Sequence, residues 1–196
     1  MSVPLEAPSQ VLHVPTQIEI RVQNHAHISE AILVGAEREA DRILEKAAVK
    51  AYWVSCETKD AARIGHKRCR EPMETTSFEL EIVMSQPPQK TAANSEFGFA
   101  VMPSFATVRY DQIAQLTTFD DPRFEASILL GCVIAHELGH LLLGPDSHSR
   151  KGIMLAQWNR EQIYQAMRGR LSFSGEEAHR IRSKMTMRTS QASQSE

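Results

Sequence analysis

The sequence has no apolar run approaching the roughly 18–20 residues of a membrane-spanning helix. Its first residues, MSVPLEAPSQ, offer neither a basic start nor an apolar stretch, so they do not read as a secretory signal. Two expectations follow: a protein that stays inside, or one whose leader lies outside these residues. The basic excess of a nucleic-acid binder is also lacking: 22 Lys and Arg stand against 24 Asp and Glu, a formal net charge of −2. One local basic run, Arg63, His66, Lys67, Arg68 and Arg70, reads as a solvated loop. Cysteines number only three, without the paired spacing of a cysteine zinc site. Cys132 lies in an apolar stretch and reads as a buried free thiol. Cys56 and Cys69 could pair across a short polar loop, as an oxidising compartment would allow. Internal repeats are absent.

What is present fits one domain of ordinary size. The 196 residues, 42% hydrophobic and 23% charged, can bury a core without staples. Residues 1–15 are punctuated by proline and read as an extended segment. In QIEIRVQ (17–23), Ile18, Ile20 and Val22 alternate with polar residues, the pattern of a strand. Ser29 can cap a helix running to about residue 50. Its stripe is Ile32, Ala36, Ala40, Ile43 and Ala47, with Glu37, Arg38, Asp41, Arg42 and Lys46 facing away. AYWVSC (51–56) is the next strand, and a polar, turn-rich stretch follows to residue 76.

FELEIVM (78–84) points Phe78, Leu80, Ile82 and Met84 one way and Glu79 and Glu81 the other. Residues 86–96 read as a loop. FGFAVM (97–102) is a short strand whose Gly98 and Ala100 leave one face nearly bare, open to close backbone approach. FATVRY (105–110) is a further strand. Asp121 and Pro122 start a helix expected to run to Leu143, stopped by Gly144 and Pro145. Asn159 with Gln162, and Ser174 with Glu177, are capping boxes for two short helices. The tail from 189 to 196 reads as disordered. The order predicts an α+β fold: a twisted sheet of about four to five strands, helices packed on it, and a helical C-terminal part.

The chemistry lies in HELGH, residues 136–140. His136 and His140 are four apart on a helix, so both imidazoles can reach one ion. Glu137 is offset by about 100° given roughly 3.6 residues per turn. It can reach a water on the metal without binding the metal. This is the HExxH logic of a zinc hydrolase. The surrounding helix is apolar, from Ile128 to Leu142, and two histidines and a glutamate are costly to bury there without partners. Core histidines bonded to backbone carbonyls are the bland alternative. A catalytic zinc takes three protein ligands and a water. Candidates for the third are His148, Asp146, and a later glutamate, Glu161 or Glu176.

The following SRKGIML (149–155) carries a resemblance. HExxH, a helix-ending glycine, a third ligand, and a tight turn with a methionine together resemble the metzincin superfamily of zinc peptidases. Gly152-Ile153-Met154 looks like its Met-turn. The family's glycine falls one residue earlier than Gly144, at Leu143, and its third-ligand position is Asp146. Ala135–Trp158 resembles a bacterial metzincin-like group with a longer exit, which favours His148 over Asp146. The family's tyrosine after the methionine is absent; Ala156 and Trp158 follow, and Trp158 reads as a packing residue.

The resemblance implies one catalytic zinc on His136, His140 and His148, Glu137 as general base, and Met154 beneath the metal. It also implies a peptide substrate extended along an edge strand, assigned to Phe97–Met102 with Gly98, Phe99 and Ala100 at its centre. Residues 16–188 would then form one catalytic domain: sheet and active-site helix to 143, Met-turn and C-terminal helices from 144. The relatives are mostly exported, which implies a secreted or periplasmic setting. Neither nucleic acid nor a membrane span is expected. A catalytically silent zinc- or peptide-binding protein of the same fold, or a hydrolase with Glu161 as third ligand, are the alternatives.

Overall fold

Alternation of apolar and polar residues sets the sheet, and the computed structural model describes it through residues 16–56, 67–84, 97–117 and 125–192. Strand β1 (Thr16–Asn24) is followed by helix α1 (Glu30–Glu45) and strand β2 (Val49–Ser55), which pairs with β1 in parallel. A parallel pair needs such a crossover. Asn24 makes the corner: its side chain bonds both the N–H and the carbonyl of Ile28, at 3.1 and 3.0 Å. Ser29 then caps α1, accepting from the Ile32 N–H. Strand β3 (Ser77–Val83) adds to the other side of β1, and β5 (Phe105–Arg109) adds to β3, both parallel. Strand β4 (Gly98–Val101) closes the sheet antiparallel to β5, giving the order β2-β1-β3-β5-β4.

The register puts Ile18, Ile20 and Val22 beside Phe78, Leu80 and Ile82, then Ala106 and Val108, on one buried face. Met84, expected on that face, lies past the end of β3 and is exposed. The opposite face is polar and internally bonded. Arg21 binds Glu19 and the Glu71 carbonyl, and Gln23 binds Glu79. Arg68, from the expected solvated basic run, pairs with Glu19. Its neighbour Cys69 is disulfide-bonded to Cys56, which clips this segment to the end of β2.

Tyr110 does not extend β5. It begins helix α2 (Tyr110–Thr117), an element that the alternation of FATVRY did not suggest. The long helix α3 covers Ala126–Leu143. It starts later than expected, because Glu125 is extended (φ −95°, ψ 117°) and separates it from the Asp121–Pro122 signal. Asp121 and Pro122, the segment 1–15 and the 86–96 loop lie outside the described residues. By length and mean hydropathy of 1.7, α3 is the one described helix long and apolar enough to cross a membrane. Here it is the core helix, buried along nearly its whole length. It packs on α1, on β4 and β5, and on helices α4 (Arg160–Met167) and α5 (Gly175–Ala192).

Both predicted capping boxes form. Asn159 caps α4 reciprocally with Gln162, and Ser174 and Glu177 cap α5. Helix α5 is not short: it continues to Ala192, through residues expected to be disordered. Its basic side chains explain its place. Lys184 donates to the Leu143 carbonyl and Arg188 to the Leu141 carbonyl, so α5 satisfies the open C-terminal carbonyls of α3. Arg42, expected to face solvent, instead clamps Glu39 and reaches the Leu171 carbonyl, tying α1 to the C-terminal part. Asp41 likewise turns inward and accepts from the Trp53 indole.

The α1–α3 crossing is tight at Gly131. A Cβ there would stand 2.5 Å from the Ala36 carbonyl oxygen and 2.6 Å from the Glu39 Cβ. Gly131→Ala should therefore force the helices apart and cost about 1–3 kcal/mol. Chemical denaturation measures this; an unchanged midpoint would show that the crossing tolerates the methyl group.

Candidate metal centre

Helical spacing brings His136 and His140 one turn apart near the end of α3, both almost fully buried. Gly144 ends the helix with φ +91°, a conformation that suits glycine, and its N–H returns to the His140 carbonyl. The chain then doubles back. Asp146 takes a left-handed conformation (φ 55°) and points into solvent, while Ser147 and His148 return to the helix. His136, His140 and His148 each offer a ring nitrogen, and these nitrogens lie within 4.8 Å of one another. Neither Asp146, Glu161 nor Glu176 joins that group among the described residues; all three are exposed.

The loop fixes the rings. His136 Nδ1 lies 2.7 Å from the Ile153 carbonyl oxygen. A carbonyl only accepts, so Nδ1 carries the proton and Nε2 presents a lone pair. His140 Nδ1 lies 2.8 Å from Ser147 Oγ, and its Nε2 is 3.1 Å from that of His136. Two donors on a tetrahedral zinc stand about 3.3 Å apart when each Zn–N bond is about 2.0–2.1 Å. The observed spacing fits. His148 Nε2 is buried and has no hydrogen-bond partner among the described residues, as a ligand atom would be.

Burial pushes the His136 imidazole down to about pH 4, against the contribution of its bond to Ile153. Burial, then the neighbouring His136 and His148, push His140 down to about 3. Burial also lowers His148, opposed by Asp146. All three are thus neutral at pH 7, the form that binds metal.

Met154 is fully buried beneath α3. A Cβ on Gly139 would stand 2.5 Å from its Sδ and 2.9 Å from Phe173 Cε1, so the histidine-bearing turn rests on these two side chains. Glu137 is fully buried as well. Its carboxylate lies under β4: a Cβ on Gly98 would stand 2.9 Å from Oε1 and 2.4 Å from the Thr107 carbonyl oxygen. Gly98 therefore makes room for both the Thr107 carbonyl of β5 and the Glu137 carboxylate. Phe99 faces the other side and is buried, and Ala100 is partly exposed. Among the described residues β4 is the last strand of the sheet.

A cleft opens beside His136 and Glu137, walled by Phe97, Val133, Leu155 and Trp158. Trp158 does pack, but at the site: its ring meets His136 edge-on at 5.8 Å and Phe97 at 6.0 Å. Spacing in the sequence did not reveal three contributors: the Ile153 carbonyl, Ser147 and Phe97. A carbonyl carries no residue signature, and Ser147 was hidden between two stronger ligand candidates.

No family model matches the sequence, and no curated protein matches it. Solved structures do match the fold. A zinc-dependent peptidase from Methanocorpusculum labreanum (strain Z) superposes with a TM-score of 0.58 at 14% identity, over 83% of this chain and 99% of that one. Archaemetzincin from Methanopyrus kandleri gives a TM-score of 0.53 at 14% identity, over 90% and 99%. The chain has the fold of these zinc peptidases, and three of its histidines are placed to bind a metal.

The lowered histidine pKa values set a pH dependence. In the metal-free protein the unfolded chain binds protons below about 6.5, while the folded chain holds His136 and His140 neutral to about 4 and 3. Stability should thus fall as pH falls from about 6.5 toward 4, with a slope near 1.4 kcal/mol per pH unit for each histidine. Melts in chelator between pH 7 and 4.5 check this; a flat melting temperature contradicts it.

Proposed function

We propose that the protein is a zinc-dependent endopeptidase of metzincin type. The observation that carries this is the convergence of three neutral imidazoles beside a fully buried glutamate that lines a cleft, next to the last strand of the sheet among the described residues. His136, His140 and His148 would hold one ion, and Met154 in the Gly152–Met154 turn would underlie it. A zinc held there would acidify a bound water toward a pKa of about 7 and polarise the scissile carbonyl. Glu137 takes the proton from the attacking water and delivers it to the leaving nitrogen. Its place between α3 and β4 holds the carboxylate rigidly, so little reorganisation is needed when the proton moves.

The substrate would lie extended along the outer edge of β4, paired to the backbone of Gly98–Ala100. Phe97, Val133, Leu155 and Trp158 line the cleft and would receive an apolar side chain next to the cleaved bond. After the methionine no tyrosine follows; Ala156 and Gln157 are exposed there, and of the two only Gln157 carries a side-chain donor. The Cys56–Cys69 disulfide supports an oxidising location, secreted or periplasmic.

The test is cleavage of a generic protein substrate with metal analysis in parallel. Wild type should cleave casein in a chelator-sensitive manner with one zinc per chain. Glu137→Ala should keep the zinc and lose about 10²–10⁴-fold in kcat; full activity in that variant would sink the mechanism. His148→Ala should lose zinc and Asp146→Ala should keep it, as atomic absorption after dialysis will show. The reverse pattern would assign Asp146 as the ligand.

A further inference from the structure

Glu177 closes the capping box of α5, but a cap does not require what this residue has. Its Oε2 accepts from the Ser174 N–H at 2.6 Å, and its own N–H donates to Ser174 Oγ at 3.2 Å. Capping carboxylates normally stand in solvent, and glutamine serves the same purpose. Glu177 is only 5% exposed. Its second oxygen, Oε1, is buried without a hydrogen-bond partner among the described residues, and no lysine or arginine pairs with it there. A carboxylate held like this is costly unless positive charge lies nearby.

Its surroundings point to the source of that charge. The segment before α5 is packed against the turn that holds His136. Ile153 N–H donates to the Ser172 carbonyl at 3.1 Å, and the Ile153 carbonyl accepts from His136. Phe173 and Met154 lie together against Gly139. The Glu177 carboxylate is held by the Ser174 N–H, two residues from the Ser172 carbonyl that anchors the Ile153 turn.

We propose that Glu177 is a positioning residue whose buried negative charge balances, from behind the Met154 turn, the dication held by His136, His140 and His148. Three neutral imidazoles leave a dication uncompensated. Glu137 supplies one negative charge and Glu177 the second, so the buried centre becomes neutral overall. This rests on the metal-binding reading above. The carboxylate would then disfavour the metal-free fold slightly and favour the metal-bound one, which makes affinity for the ion its measurable effect.

Glu177→Gln separates charge from cap, since the amide oxygen still accepts from Ser174. Zinc affinity is measured by competition with a chromophoric chelator on the full chain, beside melts of the chelator-treated protein. The glutamine variant should bind one zinc about tenfold more weakly, and its metal-free form should melt at or above the wild-type temperature. Glu177→Asp keeps the charge but shortens the cap, and should bind zinc more tightly than the glutamine variant. Wild-type affinity in Glu177→Gln overturns the proposal, as does equal weakening by Gln and Asp. A glutamine variant that does not fold without metal also overturns it, because the carboxylate would then serve the fold alone. Wild-type protein that binds no zinc removes the metal reading itself; wild-type zinc binding with an unaffected glutamine variant removes only this inference.

Discussion

The hydrogen bond from His136 Nδ1 to the Ile153 carbonyl joins the two halves of the site, and the arrangement of its histidines depends on it. It settles the tautomer of His136, so that Nε2 faces the site with a lone pair. It also ties the end of α3 to the turn carrying Met154, which lies eighteen residues further along the chain from His136 and reaches it only through tertiary folding. Second-sphere bonds of this kind orient metal ligands and raise their basicity. Ser147 provides a contact to the corresponding nitrogen of His140, so each helical histidine is held by the loop that also delivers His148.

That arrangement requires α3 to sit at a fixed depth. Sheet and helix α1 bury one side of it, and α5 bonds its terminal carbonyls through Lys184 and Arg188. Close contacts at Gly98 and Gly139 then set the two sides of the motif. Gly98 admits the Glu137 carboxylate under β4, and Gly139 lets Met154 and Phe173 lie against the helix. The polar residues of the motif are thus buried by an apolar frame that leaves them one open side, toward the cleft walled by Phe97 and Trp158.

Much of this was legible in the residues. Period-two alternation located β1 and β3, and Ser29, Asn159 and Ser174 located the starts of three helices, because caps and alternation are local devices. The HExxH spacing placed His136 and His140 on one helical face for the same reason. What stayed hidden was tertiary. Helix α2 starts directly at the end of β5, and one apolar stretch served both periods. Helix α5 runs through a polar sequence because Lys184 and Arg188 bind α3, a partner that composition does not reveal. Asp146 and His148 both suited the third-ligand position by spacing; only the backbone turn at Asp146 directs one outward and the other inward. Glu177 was readable as a cap and not as a buried carboxylate, since its burial is a tertiary property.

The fold is shared with two solved structures at only 14% identity. The central claim is a single ion held by three imidazoles. Zinc-loaded crystals measured at the zinc absorption edge test it most directly. One anomalous peak should appear about 2.0–2.1 Å from ring nitrogens of His136, His140 and His148, with the remaining position open to solvent. A peak bonded to Asp146 or Glu161 in place of His148, or no peak between the histidines, would contradict it.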